Sequence, residues 1–121
     1  MANTTNVVIA GAKDVWTTMG PGHSETVYQK ALEVYLRDAG VRCASEQVIP
    51  IMYRGVAVGS CRADIVTADL VIELKACASI NDSMEQQTRK YMTALPRSHG
   101  LLVNFPQRRD ATGPDFQSYT A

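Results

Sequence analysis

Arg62-Ala63-Asp64-Ile65-Val66-Thr67-Ala68-Asp69-Leu70-Val71-Ile72-Glu73-Leu74-Lys75 reads as two strands rich in Val, Ile and Leu that meet at a tight turn. With Ala68-Asp69 as a two-residue turn, pairing joins Thr67 to Leu70, Val66 to Val71, Ile65 to Ile72 and Asp64 to Glu73. Residues directly opposite in an antiparallel pair share a face, with Cβ atoms roughly 4.5–5.5 Å apart. Lys75, two residues beyond Glu73, joins that face by strand alternation. Ala63, Ile65, Ile72, Leu74 and Ala76 fall on the other face, which is wholly apolar. One register therefore gathers two carboxylates and an amine. Ala-Asp is not a favoured turn dipeptide, so a bulge or longer loop stays open as an alternative.

Two carboxylates this close repel each other unless a cation or a proton lies between them. Mg²⁺, with Mn²⁺ as substitute, suits such oxygen ligands and brings waters that serve in hydrolysis. A neighbouring lysine activates water and offsets charge in a phosphoryl transition state. The set suits phosphodiester hydrolysis. The competing reading is a surface hairpin with Glu73 and Lys75 solvated and Asp64 in an ion pair. Val71, Ile72 and Leu74 weigh against it, because they mark a central strand where unpaired charge is costly.

Outward from this hairpin, Val8, Ala12, Val15, Trp16 and Met19 recur at helical spacing from about Thr5 to Met19, and Gly20-Pro21-Gly22 breaks that helix. A second helix spans Ser24 to Ala39, with Gly40 placed to close it. Gln47–Tyr53, Ala57–Thr67 and Leu70–Cys77 read as strands. Asn81 or Asp82 caps a third helix to Leu95; Glu85 completes a capping box if Asp82 is the cap. His99–Phe105 reads as a strand buried on both faces. The order is α-α-β-β-β-α-β. One domain is expected over 1–105, with 106–121 a loose polar tail.

Twelve basic and twelve acidic side chains cancel. That argues against tight, indiscriminate nucleic-acid binding but allows a local patch, for which Arg54, Arg62, Lys75, Arg89, Lys90, Arg97, Arg108 and Arg109 are candidates. No apolar run reaches the roughly 20 residues of a membrane span, and the first six residues do not resemble a secretory signal, so an intracellular location is expected. Cys43, Cys61 and Cys77 form no zinc pattern and are expected reduced and mostly buried.

Gly22-His23-Ser24-Glu25-Thr26-Val27-Tyr28 is similar to the Gly-x-x-Glu-x-x-Tyr motif of the GxxExxY proteins, assigned to the PD-(D/E)XK nuclease superfamily. The likeness continues through Arg62-Ala63-Asp64, Val71–Ala76 and Leu101–Phe105, covering about residues 5–105. It implies a restriction-endonuclease-like α-β-β-β-α-β core, with a mixed central sheet flanked by helices and an extra N-terminal helix. It also implies that Glu25 joins Asp64 and Glu73 around the metal, directly or through water. From the residues alone, Glu25 is equally well read as an acid favoured by the helix dipole. Gln87 and Tyr91, four apart on one helical face, resemble the Gln-x-x-x-Tyr motif of RecB-like nucleases, where the pair orients the lysine or the substrate. The other reading puts Tyr91 in a core stripe with Met84, Thr88, Met92 and Leu95, leaving Gln87 solvated.

The resulting expectation is an Mg²⁺-dependent nuclease acting on DNA ahead of RNA. Asp64, Glu73, Glu25 and the Leu74 carbonyl serve as ligands, Lys75 activates water, and Gln87, Tyr91, Arg89 and Lys90 meet the substrate. The alternative is a nuclease-fold binding or scaffold subunit without useful turnover. A third reading is a self-associating subunit of a larger complex: so small a domain offers little surface for recognising DNA, and a homodimer would present two sites.

Overall fold

The computed structural model describes residues 3–121, so Met1 and Ala2, which open the expected domain, lie outside the described residues. Three helices and five strands follow in the order α1 (Thr4–Met19), α2 (Glu25–Asp38), β1 (Ala44–Tyr53), β2 (Val56–Val66), β3 (Leu70–Lys75), α3 (Asp82–Ala94), β4 (His99–Asn104) and β5 (Asp115–Thr120). The strands make one sheet in the order β1-β2-β3-β4-β5. Only β3 and β4 run parallel, as the crossover through α3 requires; the other pairs are antiparallel.

The apolar rhythm of α1 and α2 explains one layer. Val8, Ala12 and Val15 of α1 and Tyr28, Leu32 and Leu36 of α2 pack with Ile65, Leu70, Ile72, Leu74, Leu101 and Val103 on one sheet face. Gly11 permits the helix contact, since a Cβ there would lie 2.5 Å from Cδ1 of Tyr35. Tyr91 and Met92 of α3 cover the opposite face with Val66, Val71, Leu102 and Tyr119. The result is a helix–sheet–helix sandwich around a mixed sheet, the restriction-endonuclease-like architecture expected from the resemblance.

Three findings correct the expectations, and one decides between alternatives. Residues 115–120 are not part of a loose tail: Asp115–Thr120 pairs along the whole of β4, and Arg108 clamps the connecting loop by gripping both carboxylate oxygens of Asp115 at 3.0 and 3.1 Å. The polar composition hid a strand whose inward residues are Phe116 and Tyr119. Asn81, not Asp82, caps α3, its side chain accepting from Met84 N at 3.0 Å; Glu85 forms no capping box and pairs with Arg89 instead. Ala63 lies on the α3 face with Val71, opposite to Ile65. The β1–β2 ladder skips Glu46, whose φ is 52°, opposite Asp64, so the strand rolls over at that residue. The three cysteines are free but only partly buried.

Candidate active site

The β2–β3 hairpin adopts the expected register. Val66 opposes Val71 and Ile65 opposes Ile72, and Thr67 N donates to the Leu70 carbonyl at 2.9 Å across Ala68-Asp69. Beyond Ile65 and Ile72 the main-chain ladder gives way to carboxylates. Asp64 N donates to Glu73 Oε1 at 3.0 Å, and Leu74 N donates to Asp64 Oδ2 at 2.8 Å. Each acid thus has one oxygen tied to the neighbouring strand and one left over.

Glu73 is 3% exposed, so water does little to support its charge. Burial first, and the adjacent Asp64 charge second, push its pKa up to about 8, against the Asp64 N–H and Lys75. Burial likewise raises Asp64, opposed by the Leu74 N–H and by Lys75, and abetted by Glu46. Glu25, at the first turn of α2, is exposed by surface area, yet partial desolvation raises its pKa too, with Lys75 opposing and Asp64 adding to the rise. These mutual influences place Glu25, Asp64, Glu73 and Lys75 in one electrostatic neighbourhood.

Lys75 Nζ donates to Gln87 Oε1 at 3.4 Å and closes no ion pair with an acid among the described residues. Gln87 is therefore not simply solvated. Tyr91 lies in the core beside Met92, and burial, then the Glu73 charge, push its phenol up to about 12. Gln87, Lys90 and Tyr91 line an open groove of about 330 Å³ with Cys61, Ser83 and Gln86. Arg89 is not brought there, because it pairs with Glu85 and lies 4.8 Å from the Tyr119 ring centroid. The basic residues do not gather on one face either. Arg97 donates to the carbonyls of Thr67 and Leu95, Arg108 to Ala78 and Asp115, and Arg54 lies over Tyr53 at the β1–β2 tip.

Glu25 is presented by a braced turn. Ser24 Oγ accepts from Val27 N, Tyr28 stacks on Phe105 with centroids 4.3 Å apart, and its hydroxyl donates to the Gly20 carbonyl at 2.8 Å. His23 contacts the Met19 carbonyl through Nε2 at 3.2 Å. Sequence reasoning passed over Gln29, which is buried one turn beyond Glu25 and donates to the Asp64 carbonyl at 3.2 Å. A glutamine next to Tyr28 on the inward side of a helix was the available signal. Asn104, fully buried, was missed as well; it holds the Cys77 peptide through both its carbonyl and its N–H.

A mixed sheet between helices, with an Asp and a Glu-x-Lys on adjoining strands, defines a nuclease-type α/β domain. The chain belongs to the PD-(D/E)XK nuclease superfamily, whose profile matches residues 2–113. The crystal structure of SSO0001 resembles it in fold, with a TM-score of 0.60 at 19% identity over 79% of this chain and 50% of that one. The present chain thus spans about half the length of that protein. No curated protein matches the chain.

Nucleases of this superfamily generally use divalent metal ions. The donor chemistry here fits one: Asp64 and Glu73 set hard oxygen atoms side by side where burial leaves their charge uncompensated. The third acid is not drawn in to the same degree. Among the described residues, no three His, Cys, Asp or Glu side chains form a metal-holding group.

Proposed function

We propose that the protein is a metal-dependent phosphodiester hydrolase acting on nucleic acid, with DNA ahead of RNA as the resemblance suggests. The supporting observation is buried Glu73 set against half-buried Asp64, beside Lys75, at the splayed end of β2 and β3. Burying the Glu73 carboxylate against a second, half-buried one opposes folding, so the pairing points to a use for them.

In this reading Asp64 and Glu73 would hold Mg²⁺ or Mn²⁺, with the Leu74 carbonyl and, through water, Glu25 as further ligands. The ion supplies Lewis acidity toward a phosphate oxygen and a water ready to attack. Lys75 would hydrogen-bond the attacking water and shield the charge that develops on phosphorus. Gln87 keeps the Lys75 amine on the site side of α3. Lys90 and Tyr91 flank the groove along which the substrate backbone lies. Gln29 fixes the Asp64 peptide, so the carboxylate does not turn away.

Cleavage of a DNA oligonucleotide in Mn²⁺ tests this. Lys75→Ala should lower the rate by about 100-fold or more while circular dichroism stays unchanged. Undiminished cleavage by that variant rejects the assignment.

The neutral net charge and the dispersal of the arginines favour a second reading, a nuclease-fold subunit that binds without turnover. Calorimetry separates the two: a catalytic site binds Mn²⁺ in wild type and loses it in Asp64→Ala, whereas a disused site binds neither Mn²⁺ nor Mg²⁺.

A further inference from the structure

Among the described residues, six of the eight large hydrophobic side chains left exposed are Val48, Ile51, Met52, Tyr53, Val56 and Val58. All six belong to the β1–β2 hairpin. In β1 only Ile49 is buried, and in β2 full burial begins at Ala63. Beyond marginal touches β1 packs on no element but β2. The outer half of the hairpin is thus an arm that projects past the layers of the domain.

The arm is apolar on both sides. Pairing of Ile51 with Gly59 and Tyr53 with Val56 continues the face that begins with buried Ile49. Alternation puts Val48, Pro50 and Met52 on the other. A two-stranded ribbon without a packed face is marginal in water. Between residues 47 and 61 the one charge is Arg54, which lies over its own Tyr53 ring at 5.3 Å.

We propose that this arm is a dimer interface, and that its occupant is the same arm of a second copy related by a twofold axis. The exposed side chains leave roughly 600 Å² in solvent over the two faces together, at the upper end of a monomer's largest patch. A surface with no acid and one self-shielded cation is complementary to itself. The zero net charge leaves no overall repulsion between copies.

Association through the faces, not the edge, follows from Pro50. It removes a main-chain donor from the middle of the free β1 edge, and the register shift at Ile51/Met52 bends that edge. Open-ended strand addition is blocked, and twofold face packing closes at two copies. The pairing is independent of the chemistry at Glu73.

Sedimentation equilibrium of the full chain, from about 1 to 100 µM, should give twice the 13.2 kDa chain mass. Met52→Lys combined with Val56→Lys alters both faces at exposed positions; it should stay folded and sediment at the chain mass, with association weakened about 100-fold or more. Val34→Lys, at an exposed valine on α2, should leave the dimer intact. In wild type, amide exchange over residues 48–58 should slow as concentration rises. A monomer throughout the range, a dimer unaffected by the double substitution, assembly beyond two, or exchange independent of concentration would each overturn the proposal.

Discussion

Burial beside Asp64 raises the pKa of Glu73, and that shift links the site to stability. Its folded-state pKa of about 8 stands above an ordinary value of 4.5, so the native protein binds a proton that the unfolded chain releases between these values. Its contribution is fully present below pH 4.5 and is lost as pH rises through about 8. Asp64, also raised, acts in the same direction. Without metal, the melting temperature should therefore fall from pH 5 to pH 8, by an amount worth a few kcal/mol at about 1.4 kcal/mol per pKa unit. Glu73→Gln should flatten that slope and stabilise the metal-free protein at pH 8. Mn²⁺, which needs the ionised acids, should raise the wild-type melting temperature more at pH 8 than at pH 6 and leave Glu73→Gln unmoved. A parallel slope in variant and wild type would show that Glu73 is not the group titrating.

The helix ends show which local signals prevail. Ser24 and Asn81 both have side-chain oxygens that accept from main-chain N–H groups three residues on. Such caps are worth about 1 kcal/mol. Asn81→Ala should cost that much in urea unfolding, whereas Glu85→Ala, which removes only an exposed pair with Arg89, should stay within about 0.5 kcal/mol. Equal losses would mean that a capping box exists after all. The choice between Asn81 and Asp82 was open in the sequence because both residue types cap well and they are adjacent. The hairpin was legible for a different reason. With a two-residue turn, one register separates apolar from polar side chains on β3, and a slip of one residue would bury Lys75 with the core.

Across the whole molecule, β5 completes the sheet. Removing residues 106–121, the segment expected to be a tail, would strip β4 of one partner, uncover Leu102 and Val103, and delete the Arg108–Asp115 clamp. The truncated chain should lose roughly 10 °C or more in melting temperature, or fail to fold; melting like the full chain would restore the boundary at 105. The dispersal of the arginines belongs to this scale too, since their positions depend on which carbonyls and rings the fold brings within reach.

Periodicity and turn chemistry in the chain were enough to set the helices, the β2–β3 register and the pairing of Asp64 with Glu73, because each depends on neighbours within about a dozen residues. Gln29 under the Asp64 peptide, Tyr119 beneath Arg89 and the strand hidden in a polar terminus came from folding. Their partners are remote along the chain, and a polar residue shows its inward role only when packing removes its water.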